Sequence, residues 1–353
     1  MSAGVKRAGG PVRTIKHFSL HRIGRTELRI VADVDTGVLS FIQAEEAVVR
    51  SYARQEGWPH RWVNLFVLQD LQPLLRQPQL NLPPDAVLAL EQRPVVNVYD
   101  LANPAGCHVF VNQQAMEKEG YWGDMPAMRG LLAHEHAHPL AENGTVQASR
   151  RLRLDLAFQH SWEQADTGWP TDVQDRVQRL FLSLANEVCR DASREIFANE
   201  VAIRSGFGED LFYLDRRNVT HAGHSVTGRE ELRRLLRKEV DQGHLSLSAA
   251  DLLLLIGDMK SYLNLALETA AFCRAGQENK AQELDDILGR AVFPYLEPQV
   301  PLAYAALREQ YIALRAALTP LELAGWGQKV LNILIQALAE KGQGVRGQVQ
   351  IAE

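Results

Sequence analysis

The chain has 353 residues, 46% of them hydrophobic, which is enough for a sizeable core and too many for one simple domain. Its formal net charge of −5 provides no global basic field to attract nucleic acid or an anionic membrane surface. Three widely spaced cysteines exclude a disulfide framework and a cysteine-ligated zinc site. The first residues lack the apolar run of a signal peptide, and no segment has the apolar length of a membrane span. We therefore expect a cytoplasmic protein without membrane association.

Composition shifts divide the chain into five predicted segments. A flexible lead-in is predicted over residues 1–13, and a β-rich part follows over residues 14–124. Helical patterns that include the histidine-rich motif described below occupy residues 125–227, which we assign to the same domain. Residues 228–341 are predicted to be entirely helical, and residues 342–353, rich in Gly and Gln, are predicted to be a flexible tail.

Strand patterns in the β-rich part are short apolar runs bounded by turn residues. A hairpin is predicted around Asp35-Thr-Gly, and a helix is predicted over residues 44–56. After the histidine motif, further helices are predicted from Val146 to about His160 and from Val173 to about Ser205. The predicted strands lie at residues 28–31, 38–42, 62–68, 95–99 and 108–112.

The most informative motif is the run MPAMRGLLAHEHAHP over residues 125–139, which carries His134, Glu135 and His138 as H-E-x-x-H. Asp124 is a favourable N-cap residue, so a helix is predicted to begin after it. On that helix the two histidines lie one turn apart on one face, where they can bind one metal ion. Glu135 can then reach a water molecule on that metal.

Two features complicate this interpretation. Pro139 follows the second histidine directly, and because it lacks a backbone N–H the helix must end or bend there. His136 faces away from the side that carries the two predicted ligands, which favours an indirect or surface role. The alternative interpretation is a helix end whose imidazoles cover terminal carbonyl groups and bind no metal.

A catalytic zinc ion needs a third protein ligand, and the predicted helix over residues 173–205 offers carboxylates. Glu187 and Asp191 project close to the middle of its apolar stripe when a period of 3.6 residues is assumed. Carboxylates on a core-facing stripe are costly unless a positive partner meets them. The apolar positions that define this stripe include Val177, Leu180, Leu184 and Ala198.

The spacing Glu187-Val-Cys-Arg-Asp191 allows Glu187 to bind the metal while Asp191 accepts the free N–H of a ligating histidine. Glu195 falls near the same stripe and is the reserve ligand. In the alternative interpretation Arg190 or Arg194 neutralises both acids within the helix, and neither acid meets a metal.

The run from His134 to His138, followed by Glu187-x-x-x-Asp191, resembles the gluzincin branch of the zincin metallopeptidases. The resemblance extends only from the strand near Val109 to Phe197. Metzincin and aspzincin patterns fit less well, because the residues that would extend them are absent from the expected positions.

The resemblance implies one Zn²⁺ ion bound by His134, His138 and Glu187. It also implies that Glu135 is the general base and that Asp191 orients a ligating histidine. In such enzymes the edge strand of a small sheet pairs with an extended substrate.

Two further expectations concern substrate and transition state. The strand at residues 108–112 is the candidate for the edge strand, since it lies just before the motif helix in sequence. The developing oxyanion needs a donor besides the metal. Tyr213, His221 and His224 are the candidates, in a segment over residues 207–225 that is predicted to be irregular.

The sequence therefore predicts an α+β protein with a small mixed sheet, zincin-like active-site helices and an all-α C-terminal region. The predicted activity is zinc-dependent hydrolysis of peptide bonds in a peptide or protein substrate. A catalytically inactive zincin-like scaffold, binding a protein partner through its C-terminal helices, is the alternative. A nucleic-acid-associated regulator acting through arginine clusters ranks below both, because those clusters are typical of the solvated sides of helices.

Overall fold

The computed structural model describes residues 14–77, 84–158, 171–341 and 344–352. The described chain has an α+β fold with a five-stranded mixed sheet in its N-terminal part and mostly helices thereafter, as the sequence predicts at that level. It forms two compact units. The first unit contains the chain up to Leu140 and the short segment Ser205–Leu211, and the second contains Ala141–Arg204 and the chain from Phe212 onwards.

The sheet of the first unit has the strand order β1-β2-β3-β5-β4. The inner strands β2, β3 and β5 run parallel, and each edge strand runs antiparallel to its neighbour. A tight turn at Gly24, with φ of 60°, joins β1 to β2. The strands are β1 (His17–Ile23), β2 (Thr26–Ala32), β3 (Trp62–Leu68), β4 (Val95–Tyr99) and β5 (Gly106–Asn112).

Helices α1 (Val38–Tyr52) and α5 (Met125–Ala137) of the first unit cover one face of this sheet. Helix α1 is the crossover between the parallel strands β2 and β3, and it packs against helix α5. The side chains beneath them are fully buried, among them Leu28, Leu65 and Val109. The remaining helices of this unit are α2 (Gln72–Leu75), α3 (Pro84–Glu91) and α4 (Gln113–Lys118).

The second unit consists of helices and one two-stranded sheet. Strand β6 (Leu152–Phe158) pairs antiparallel with β7 (Val345–Ile351), and β7 packs on the last helix. That helix begins at Thr319, whose hydroxyl group accepts the N–H of Glu322 while the Glu322 carboxylate accepts the N–H of Thr319. The helices are α6 (Gly144–Ser149), α7 (Thr171–Asn186), α8 (Ala192–Ala202), α9 (Gly208–Asp241, which begins in the first unit), α10 (Leu247–Tyr262), α11 (Leu265–Arg274), α12 (Glu278–Ala291), α13 (Gln299–Ile312) and α14 (Pro320–Ala339).

Several sequence-based predictions of secondary structure are wrong. The predicted strand at 38–42 is the first turn and a half of α1, since its apolar residues belong to a stripe of helical period that includes Phe41, Val48 and Tyr52. Residues 207–225, predicted to be irregular, lie almost entirely within the continuous helix α9. Gly206, with φ of 97°, interrupts the helical path just before α9 begins, whereas Gly223 lies within α9 and does not interrupt it.

The second group of corrections concerns the small sheet. The predicted helix over 146–160 is replaced by the short helix α6 and strand β6, in which Leu152, Leu154 and Leu156 alternate with polar residues. The predicted flexible tail forms β7, whose residues pair with β6 from Val345 to Ile351. The lead-in over residues 1–13 lies outside the described residues. Among the described residues, no helix is both long and apolar enough to cross a membrane.

Candidate metal centre

The histidine motif lies at the C-terminal end of α5. The Asp124 carboxylate accepts the N–H of Ala127 at 3.3 Å and so caps the start of this helix, as the sequence predicts. Helix α5 ends at Ala137, but His138 keeps helical angles of φ −52° and ψ −49° before Pro139 starts a turn. Because of this, the rings of His134 and His138 remain one turn apart, with centroids separated by 4.7 Å. Pro139 ends the helix without separating the two imidazoles.

Glu135 is tied to the edge strand β4. The backbone N–H of Asn97 donates to Glu135 Oε2 at 3.2 Å, and Asn97 Nδ2 donates to the Glu135 carbonyl oxygen at 3.1 Å. The strand beside the motif helix is therefore β4. The predicted edge strand at 108–112 is β5, which lies inside the sheet between β3 and β4. That prediction is wrong because sequence order does not reveal that β4 pairs on the outer side of β5.

His136 points into the core, away from His134 and His138. Its Nε2 donates to Glu45 Oε1 of α1 at 2.7 Å, and both side chains are fully buried. About two turns further along α1, the Tyr52 hydroxyl donates to the carbonyl oxygen of Ala133 at 2.7 Å, and burial raises the pKa of this tyrosine. Breaking a buried pair of this kind costs about 3–5 kcal/mol. These bonds fix the rotation of α5 and hence the direction in which His134 and His138 point.

Further polar groups surround this buried pair. His60 Nδ1 donates to the carbonyl oxygen of Pro104 at 2.6 Å, and Trp58 lies between His60 and His136 with ring centroids 4.8 and 5.8 Å away. Burial, and secondarily the charge of His136, lower the pKa of His60 to about 4. His60 is therefore neutral at physiological pH.

The acids predicted on the second helix have partners of their own. Glu187 Oε1 accepts hydrogen bonds from Lys260 Nζ at 2.7 Å and from Ser183 Oγ at 3.0 Å. Asp191 Oδ1 pairs with Arg190 Nε at 2.9 Å, and its side chain is half exposed. Glu187 thus has a cationic partner on another helix, and Asp191 has the arginine named in the alternative interpretation.

A π-helical turn explains why Asp191 leaves the apolar stripe, whereas Glu187, the first residue of that turn, lies beside a stripe that contains Leu184 and Val188. Residues Glu187–Asp191 form a wide turn between α7 and α8, which inserts one extra residue into the helical repeat. At a period of 3.6 residues, the buried stripe would continue through positions 188, 191 and 195. The extra residue moves the buried positions after the turn by about one residue towards the C-terminus. The residues that continue the buried stripe after the turn are Ala192, Ser193, Ile196 and Phe197.

The carboxylate that joins the two histidines is Glu195, the reserve ligand of the sequence analysis. Among the described residues, His134, His138 and Glu195 are the one group of three potential ligands whose nitrogen and oxygen atoms all lie within 4.8 Å of one another. Two imidazoles and one carboxylate are the donor set of many catalytic zinc sites. The residues present therefore fit a zinc ion chemically.

The three predicted oxyanion donors share one helix face. Tyr213, His221 and His224 lie on α9, on a face that also carries Arg216 and Arg217. The rings of His221 and His224 are 6.3 Å apart, and Tyr213 is 44% exposed. The structure brings these three residues together on α9, and their catalytic role stays a prediction.

Sequence reasoning missed the residues that support the motif helix. Glu45 carried a usable signal, because it is an acid within the apolar stripe of α1 and such an acid requires a buried partner. Asn97 and Tyr52 carried none, since a polar residue in a strand and an aromatic residue on a helix are common in any core.

A comparison of the chain with protein-family models, curated proteins and solved structures finds no match.

Proposed function

We propose that this chain is a zinc-dependent metallopeptidase whose metal ligands are His134, His138 and Glu195. One observation supports the proposal above all others: two imidazoles and a carboxylate converge within 4.8 Å beside Glu135 of the same H-E-x-x-H motif. A zinc ion in this position supplies Lewis-acid polarisation of the scissile carbonyl group and of the attacking water.

In this proposal Glu135 is the general base. It follows His134 in the helix, and it would take a proton from a water molecule on the ligand side and then deliver that proton to the leaving amine. The Asn97 side chain holds the Glu135 main chain, and the Glu45–His136 pair holds the same turn from the core side.

The substrate class follows from the edge strand. The carbonyl oxygen of Pro94 accepts the N–H of Asn112 at 2.9 Å, so alternate residues of β4 bond to β5. Asn97 therefore directs its N–H and carbonyl group away from the sheet, on the side where its N–H meets Glu135. An extended peptide can add to this edge by main-chain hydrogen bonds, which favours peptide segments in an extended conformation as substrates.

The test compares wild-type protein with Glu135→Gln and with the matched control Glu117→Gln, an exposed acid on α4. Each protein is purified without added zinc, its metal content is measured by plasma mass spectrometry, and it is incubated with a proteome-derived peptide library. New peptide termini are counted by mass spectrometry. We expect wild type and Glu117→Gln to contain zinc and to cleave peptides, and Glu135→Gln to contain zinc but to lose at least a hundredfold in cleavage, as expected for a removed general base.

The outcomes separate the rival functions. Cleavage that survives in Glu135→Gln refutes the mechanism. A wild-type protein that holds zinc in the same three residues but cleaves nothing supports the inactive scaffold instead.

A further inference from the structure

The face of the five-stranded sheet opposite α1 and α5 presents an apolar surface, which we call the outer face. In cross-strand register, Phe18 of β1 lies opposite Val31, Val31 opposite Phe66, Phe66 opposite Phe110, and Phe110 opposite Val96. Because side chains of paired residues point to the same side of a sheet, this row crosses all five strands on one face. The outer face carries this apolar row and two further rows on the same side, in which polar and apolar residues are mixed: Leu20, Arg29, Asn64, His108 and Val98, then Arg22, Glu27, Trp62 and Gly106.

Its aromatic side chains form a strip in which neighbouring rings contact one another. The rings of Phe66 and Phe110 are stacked with centroids 5.0 Å apart, and the Trp62 ring lies 5.3 Å from that of His108. Gly106 is required beneath this strip, since a Cβ atom there would lie 1.9 Å from the Trp62 ring. The sequence thus provides a glycine that lets a large aromatic ring lie against the sheet.

The described helices of the first unit leave this strip uncovered. Phe18 is 67%, Leu20 58% and Val98 50% exposed, while the central rings of Phe66 and Phe110 are half-buried by one another and by their neighbours. Monomeric proteins rarely expose a contiguous apolar patch of this kind unless it binds something.

Charge indicates which kind of partner fits. The charged side chains of the described strands on this face lie on β1 and β2 beside the apolar row, where Glu27 pairs with Arg29 at 2.5 Å and Arg22 lies opposite Glu27. Arg29 is followed across the sheet by Asn64 and His108, whose side chains are hydrogen-bonded at 3.2 Å. One net positive charge is too little to neutralise a phosphate backbone, and the whole chain carries −5. An apolar row bordered by polar and charged side chains is the composition of a protein–protein interface.

We propose that the outer face is the interface of a homodimer in which two copies pack their sheets face to face. Five strands about 4.8 Å apart and seven residues of about 3.3 Å each span roughly 24 by 23 Å, which gives about 550 Å² for each copy and about 1,100 Å² in all. This area lies at the lower end of specific interfaces, so a reversible dimer of micromolar affinity is expected. The face can pack against a second copy of itself, because the apolar row from Phe18 to Val96 then meets the same row of the second copy.

Analytical ultracentrifugation of the full chain over a concentration series, from low to high micromolar, tests the proposal. We expect the weight-average mass of the wild type to rise from 39.5 kDa towards twice that value. Phe66→Glu at the centre and Phe18→Glu at the exposed edge should each keep the protein monomeric. Leu321→Glu is the matched control, since Leu321 is 84% exposed on α14, and this variant should associate like the wild type.

Phe18→Glu still tests the proposal if Phe66→Glu misfolds, because a side chain that is two-thirds exposed contributes little to the core. Circular dichroism of each variant shows directly whether it is folded. A wild type that stays monomeric throughout, or a dimer that neither Phe18→Glu nor Phe66→Glu weakens, overturns the proposal. A monomer that binds single-stranded oligonucleotides through Phe66 overturns it as well and assigns the face to base stacking. None of these results depends on zinc binding or on peptide cleavage.

Discussion

Replacing each of two glutamates on the same helical segment separates the ligand role from a structural role. We expect Glu195→Gln to lose zinc and Glu187→Gln to keep it. A glutamine amide is nearly isosteric with the carboxylate, so the change removes the negative charge with little change in packing. Both residues lie near the π-helical turn, so each variant controls for general effects on this segment.

The magnitudes follow from the contacts. Glu187 forms an ion pair with Lys260 in which the two side chains are 32% and 36% exposed, and an ion pair in such a setting contributes about 0.2–1 kcal/mol to stability. Its loss should leave zinc affinity unchanged within a factor of about two. Groups that only orient a ligand change metal affinity by about 10- to 100-fold, so loss of the ligand Glu195 should exceed about 100-fold, or about 2.8 kcal/mol.

Competition with a chromophoric zinc chelator at fixed pH measures both affinities, and thermal unfolding shows whether each variant is folded. The reasoning is refuted if Glu187→Gln releases zinc while Glu195→Gln retains it, since that result would restore Glu187 as the ligand. Equal affinities in both variants and the wild type would show that neither acid binds the metal.

Three further predictions concern the first unit. Tyr52→Phe leaves the buried carbonyl oxygen of Ala133 without its donor and should lower the free energy of unfolding by about 1–3 kcal/mol, measured by urea denaturation. His60 takes up a proton at about pH 6.5 when unfolded but only at about pH 4 when folded, so stability should fall by about 3 kcal/mol as pH drops between these values; His60→Gln should remove this fall, and an unchanged pH profile would contradict it. Gly106→Ala forces the Trp62 ring to move and should cost about 1–3 kcal/mol, with a change in tryptophan fluorescence; a variant as stable as the wild type would show that the ring moves freely.

Local sequence patterns predicted an element correctly where only one pattern fits its residues. The apolar run from Trp62 to Leu68 had no competing pattern and is strand β3. The Asp124 cap with Pro126 in the first turn marked the start of α5. Where two periods fit the same residues the prediction failed, as at residues 38–42, whose apolar side chains satisfy a strand locally but belong to the longer stripe of α1.

The small sheet could not be recognised from either of its strands alone. Strands β6 and β7 are separated by almost two hundred residues, and each is stable only when the other supplies its hydrogen bonds. Residues 345–351 therefore look like a polar tail until β6 is placed beside them.

The candidate metal site was predicted in part for a different reason. The positions of the two histidines and Glu135 could be predicted from the H-E-x-x-H motif. Its histidines are four residues apart, about one helical turn, so their spacing in sequence determines their geometry. The third ligand depends on a helix that is distant in sequence, and the extra residue of one π-helical turn shifts the phase of every residue after it, Glu195 among them. A helical wheel with constant period cannot contain that information.

The hydrogen bond from Asn97 to Glu135 has a consequence for the order of events in the proposed reaction. The N–H that an incoming peptide needs on β4 is the one that Glu135 Oε2 already occupies at 3.2 Å. A peptide that docked there would displace the carboxylate and make it available to the water molecule. In the proposed reaction, the general base would therefore become available only when a substrate binds.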